Sequence, residues 1–161
     1  MKKARDIFIA GLKDAYSMEL QAKDMMESQA KRLEDYPAVR ARAEAHRKET
    51  EEQIVRLDEA LGIVGQQPSK LKNLATRTAG TIQGTIHGLV SDEIIKDILA
   101  TYAFEHLEIA SYRLLIAMAS ELGENRIADL CRASLQEEEA MANWLSGNMD
   151  ETARVFVTRH S

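Results

Sequence analysis

Only two prolines, Pro37 and Pro68, and eight glycines punctuate the 161 residues, and their positions limit the fold more than any other feature. The stretches between them are long, and their apolar residues recur at intervals of three, four or seven, the period of one helical face. Phe8, Leu12, Ala15, Ala22, Met26, Ala30 and Leu33 predict a first helix over about residues 3–33. Glu34-Asp35-Tyr36-Pro37 breaks it, and Pro37 suits the first turn of a second helix over about residues 37–61, with Val39, Ala43, His46, Thr50, Ile54, Leu57 and Leu61 on one stripe. Gly62, Gly65 and Pro68 stop that helix. Ser91-Asp92-Glu93 opens a third over about residues 92–122, closed by Gly123 as a C′ glycine, and a fourth follows over about residues 125–146 before Gly147 and a polar tail, 147–161. Residues 62–91, with three more glycines and many threonines, read as a crossover containing a short helix. Two tight turns and one long connection predict a single all-α domain over residues 1–161, a ferritin-like four-helix bundle.

Charge and cysteine content narrow the function classes. A net charge of −5 gives no basic surface for nucleic acid or an anionic membrane. No apolar run is long enough to cross a bilayer, and MKKARDIF does not resemble a signal peptide, so a cytoplasmic protein is expected. Cys131 is the only cysteine and excludes both an internal disulfide and a thiolate metal cage.

The chemistry-bearing signal is a set of carboxylates inside the apolar stripes. Glu19 lies seven and four residues after Leu12 and Ala15; Glu108 stands the same way among Thr101, Phe104, Tyr112 and Leu115; Glu138 sits among Cys131, Leu135, Met141, Ala142 and Leu145. Glu49 is less centred, on the polar edge of the second stripe and one turn after His46. An isolated buried carboxylate is costly. Several that converge require cations. Glu19 and Glu49 are 30 residues apart across the first turn, as are Glu108 and Glu138 across the second. The turns fall at the midpoints, so all four should share one depth, about 22 Å from the turns at 1.5 Å per residue. His46 and Glu105 lie one turn from Glu49 and Glu108 on the same faces. The candidate metal ligands are therefore Glu19, His46, Glu49, Glu105, Glu108 and Glu138, with Glu137 able to replace Glu138 if the fourth helix is rotated. Carboxylate oxygens with one imidazole suit two divalent ions, iron or manganese, with zinc or magnesium able to substitute.

The strings AYSMELQ, HRKETEEQ, FEHLEIASYRLLIAMASELG and LQEEEAMANWL, with the SDEI that opens the third helix, resemble the stress-associated YciE/YciF family of bacterial ferritin-like proteins, the YciE branch being the closer match. The resemblance covers nearly the whole chain. It implies a four-helix bundle, a di-metal centre and a homodimer, places the same six residues at the family's motif positions, and leaves the activity open. The chain departs from the wider ferritin pattern in having no Glu-x-x-His pair: His46 precedes its carboxylate, and Glu137-Glu138-Glu139 has no histidine beside it.

Among the remaining polar and reactive groups, His106 should face solvent, Met18, Met25, Met26, Met118 and Met141 should fill core, and Cys131 should be a small buried apolar group. Tyr16 and Tyr112 are read as packing residues placed where a phenol could also bond a ligand carboxylate. Three functions follow as expectations. The first is a di-iron stress protein that reacts iron with oxygen or peroxide. The second is an oxidase of an organic substrate, which requires a cleft opening to the metals. The third is a structural or partner-binding protein stabilised by its metal. Ile82, Ile86 and Leu89 in the polar crossover call for cover, which a homodimer would supply.

Overall fold

The computed structural model describes residues 3–67 and 92–161, and these form four α-helices: α1 (Ala4–Gln29), α2 (Pro37–Ile63), α3 (Glu93–Glu121) and α4 (Asn125–His160). The expected short helix of the crossover, together with Ile82, Ile86 and Leu89, lies outside the described residues. Helix boundaries follow local chemistry. Asp92 caps α3, its Oδ1 accepting from the backbone of Ile94 at 2.9 Å and Ile95 at 3.1 Å. Pro37 occupies the first turn of α2. Gly123 adopts φ +74° and lets the Glu124 amide return to the carbonyl of Ala119 at 2.8 Å, while Gly65, at φ +73°, does the same for Gln66 and Leu61.

Pairings between helices set the topology. Arg32 meets Asp97, Gln29 meets Thr101, and Glu19 meets Tyr112, so α1 and α3 are antiparallel. Gln53 with Glu138 and Glu59 with Arg126 make α2 antiparallel to α4. Since α1 and α2 are joined by a tight turn, α2 and α3 run in the same direction, and the end of α2 and the start of α3 lie at opposite ends of the bundle. This is the ferritin-like arrangement expected from the spacing of the breaks.

Two expected boundaries need correction. The first helix ends at Gln29 rather than near Leu33; residues 30–35 form turns that still bury Leu33. The expected tail 147–161 is helix: α4 continues through Gly147 to His160. A solvent-exposed glycine weakens a helix by only about 1 kcal/mol, and tertiary contacts offset that here. Thr152 is buried and returns its hydroxyl to the carbonyl of Asn148, and Arg159 reaches Asp35 in the first turn at 2.6 Å.

The core is layered. Phe8, Leu12, Leu57, Leu61, Ala119, Ile127 and Cys131 fill one end, and Met26, Met141 and Leu145 lie toward the other. Between them is a layer of buried polar side chains, Glu19, His46, Thr50, Gln53, Glu105, Glu108 and Glu138. Glu19 and Glu108 stand 89 residues apart, and the same offset relates α1 to α3 more widely: Leu12/Thr101, Ala15/Phe104, Tyr16/Glu105, Glu19/Glu108 and Met26/Leu115 are all buried pairs. Between α2 and α4 the matching offset is 88, pairing His46/Ser134, Thr50/Glu138, Gln53/Met141 and Leu57/Leu145. This one-residue change of phase turns Glu49 toward the rim.

Candidate metal centre

Five of the six expected site residues, Glu19, His46, Glu105, Glu108 and Glu138, are no more than 2% exposed and come from all four helices. Among the described residues, one group of candidate donors has its atoms within 4.8 Å of one another: His46, Glu105 and Glu138. His46 Nε2 lies 3.2 Å from Glu105 Oε2 and 3.4 Å from Glu138 Oε2. These are hydrogen-bond distances without hydrogen-bond alignment, and all three atoms lack a proper partner. Glu19 and Glu108 lie beside that group. Glu19 receives the phenol of Tyr112 on Oε1 at 2.5 Å, while its Oε2 and both oxygens of Glu108 are buried with no donor.

Glu49 is placed differently. Its side chain is one-third exposed, and Oε2 contacts His46 Nδ1 at 2.7 Å and Arg42 Nη1 at 3.0 Å. Of the two alternatives on the fourth helix, Glu138 points inward, whereas Glu137 forms a two-point pair with Arg56 at 2.6 and 2.8 Å. Glu139 lies farther out, bonded to Arg113. His106 is exposed and edge-on to Tyr102. Cys131 is buried, and burial pushes its thiol up to about 12, which keeps it inert.

The electrostatics express the excess of acceptors. Burial, with the neighbouring charge of Glu138 next, holds Glu19 well above the usual carboxyl range; Glu108 rises for the same two reasons, with Glu19 and Glu105 adding to them. Burial also lifts Glu138 to about 7, although His46 pulls against it. For His46 burial alone would favour the neutral ring, but contacts with Glu105, Glu138 and Glu49 outweigh it and raise the imidazole to about 12. Tyr112 is held well above 10 by burial and by the Glu19 charge. Unpaired buried acceptors on this scale are uncommon in native cores. A divalent cation would satisfy them, and the donor set of carboxylates with one imidazole is of the kind that holds iron, manganese or zinc.

Gln53 is the residue that sequence reasoning missed. It is fully buried, and its amide donates to Glu138 Oε1 and, at 3.0 Å, to Glu137 Oε2, tying α2 to α4 beside the cluster. The available signal was its position seven residues after His46 and four before Leu57, on the buried stripe. A groove of about 590 Å³ runs between α1 and α3, floored by Ala15, Met18, Phe104 and Leu115, but none of the six candidate ligands lines it. No helix among the described residues is long and apolar enough to cross a membrane.

Comparison with known proteins agrees with this architecture. The family model described as "Domain of unknown function (DUF892)" matches residues 3–158. Protein YciF of Escherichia coli (strain K12) is 32% identical over 146 residues, which cover 87% of this chain and 86% of that protein. The crystal structure of a protein from Xanthomonas campestris pv. campestris aligns with a TM-score of 0.81 at 34% identity, covering 98% of this chain and 99% of that one. The crystal structure of the E. coli stress protein YciF aligns with a TM-score of 0.71 at 27% identity, covering 91% of this chain and 94% of that one. The chain thus belongs to the YciE/YciF family, the DUF892 proteins.

Proposed function

We propose that this protein binds two divalent metal ions, iron in the first place, and handles iron in a bacterial stress response by reacting it with oxygen or peroxide. The observation that carries the reading is the convergence of buried polar atoms without hydrogen-bond partners at the centre of the bundle: Glu19 Oε2, both oxygens of Glu108, Glu105 Oε2, Glu138 Oε2 and His46 Nε2. His46, Glu105 and Glu138 would hold one ion, and Glu19 and Glu108 would help to hold the second. Bound iron would supply one-electron redox chemistry toward oxygen or peroxide. The chain supplies the rest. Its carboxylates neutralise the ions, His46 adds one uncharged donor on Nε2, and Gln53 and Tyr112 orient Glu138 and Glu19 through hydrogen bonds. Glu19, His46, Glu105, Glu108 and Glu138 are all buried, which limits bulk water at the centre.

The relatives support the stress assignment, YciF being described as a stress protein. An oxidase of an organic substrate would need a cleft leading to the carboxylates, and the apolar groove between α1 and α3 is lined by none of them. A homodimer in the cytoplasm, with no nucleic-acid or membrane partner, completes the reading. The test is metal analysis of protein from iron-supplemented cells. Wild type should carry about two ions per chain, Glu19→Ala and Glu108→Ala should lose metal, and Glu139→Ala, whose carboxylate faces Arg113 at the surface, should not. Equal metal in all three variants would overturn the assignment.

A further inference from the structure

His46 and Glu49 stand three residues apart on α2, so their side chains share one helical face. The imidazole is buried, and its two nitrogens look in opposite directions: Nε2 toward Glu105 and Glu138 in the interior, Nδ1 toward Glu49 at the rim. Glu49 Oε2 is already engaged twice, by His46 Nδ1 at 2.7 Å and by Arg42 Nη1 at 3.0 Å, and the side chain is one-third exposed, unlike the buried Glu19, Glu105, Glu108 and Glu138. The one-residue change of phase between α2 and α4 puts Thr50, with an unpartnered hydroxyl, at the inward position matching Glu138. Glu49 is left outside.

We infer that Glu49 is not a metal ligand but a positioning residue: it accepts the Nδ1 proton of His46, fixes the tautomer that leaves Nε2 free to bind metal, and is itself held by Arg42. The inference rests on the metal-binding reading above. It inverts the usual logic of a helical pair of ligands one turn apart. Here the histidine alone reaches the centre, and its helical neighbour anchors it from the solvent side, as carboxylates commonly do behind a metal-bound imidazole. Because Glu49 is at the rim, replacing it should leave the core intact.

The test is Zn(II) titration of the metal-free protein by calorimetry, with wild type, Glu49→Ala, Glu49→Gln and Glu138→Gln compared. Glu49→Ala should retain the wild-type number of ions per chain and bind the tighter one roughly 10- to 100-fold more weakly. Glu49→Gln, whose amide oxygen still accepts from Nδ1, should recover to within a few-fold of wild type. In ¹⁵N spectra of the Zn(II)-loaded protein the His46 proton should reside on Nδ1. Loss of an ion in Glu49→Ala would make Glu49 a ligand and overturn the inference, as would wild-type affinity in Glu49→Ala or a Glu49→Gln variant as weak as the alanine. Wild-type binding by Glu138→Gln would instead overturn the metal-binding reading itself, so the two failures are distinguishable.

Discussion

Tyr112 on α3 donates its phenolic proton to Glu19 Oε1 on α1 at 2.5 Å, both groups being fully buried, so the polar layer is stitched across the bundle where α1 and α3 face each other. Removing the hydroxyl while keeping the ring strips Glu19 of its one donor. Tyr112→Phe should therefore lower stability of the metal-free protein by about 1–3 kcal/mol, measured by urea denaturation. An unchanged midpoint would mean that the phenol contributes only packing.

Buried carboxylates that lack donors should oppose folding when no cation is present. Glu108 has both oxygens buried and unpartnered, so Glu108→Gln, which keeps the shape and removes the cost of holding a buried acid against ionisation, should stabilise the metal-free protein by about 1–3 kcal/mol. The same variant should lose the stabilisation that wild type gains on adding metal. A variant less stable than wild type without metal would indicate that Glu108 has a stabilising partner in the fold.

The stability of the metal-free protein should fall as pH rises. Glu138 is raised from the ordinary carboxyl value to about 7 and His46 to about 12, so between about pH 5 and about pH 8 the folded chain binds more protons than the unfolded chain. For both groups the stabilisation is complete below the unfolded pKa and is lost as pH climbs through the folded one. Thermal melts across this range should show a decreasing Tm, with a shallower slope in Glu138→Gln. A Tm that increases over the same range would contradict the burial and pairing described for these two groups.

Much of the fold could be read from where the chain is interrupted. Pro37, Asp92 and Gly123 mark helix ends by mechanisms that act within one turn, and the structure uses each as expected. Glu19 and Glu108 were equally legible, because strongly apolar neighbours at three, four and seven residues fix which way each side chain points. The polar positions of α2 were less legible. His46, Thr50, Leu57 and Leu61 are buried as the expected stripe has them, with Glu49 at its edge, but with so many polar residues near the buried side, each step being about 100° around the axis, the pattern did not mark Gln53 as buried beside them. The extent of α4 was illegible for a different reason. Beyond Gly147 the helix is held by Thr152 and by the contact of Arg159 with Asp35, more than a hundred residues away in sequence, and no local pattern announces such a contact.

The central claim is that the buried acceptors form a two-ion centre, and anaerobic titration of the metal-free protein with Fe(II), followed by calorimetry and by Tm, tests it most directly. The account predicts saturation at about two ions per chain with a rise in Tm. Titration without saturable uptake and without a change in Tm would contradict it.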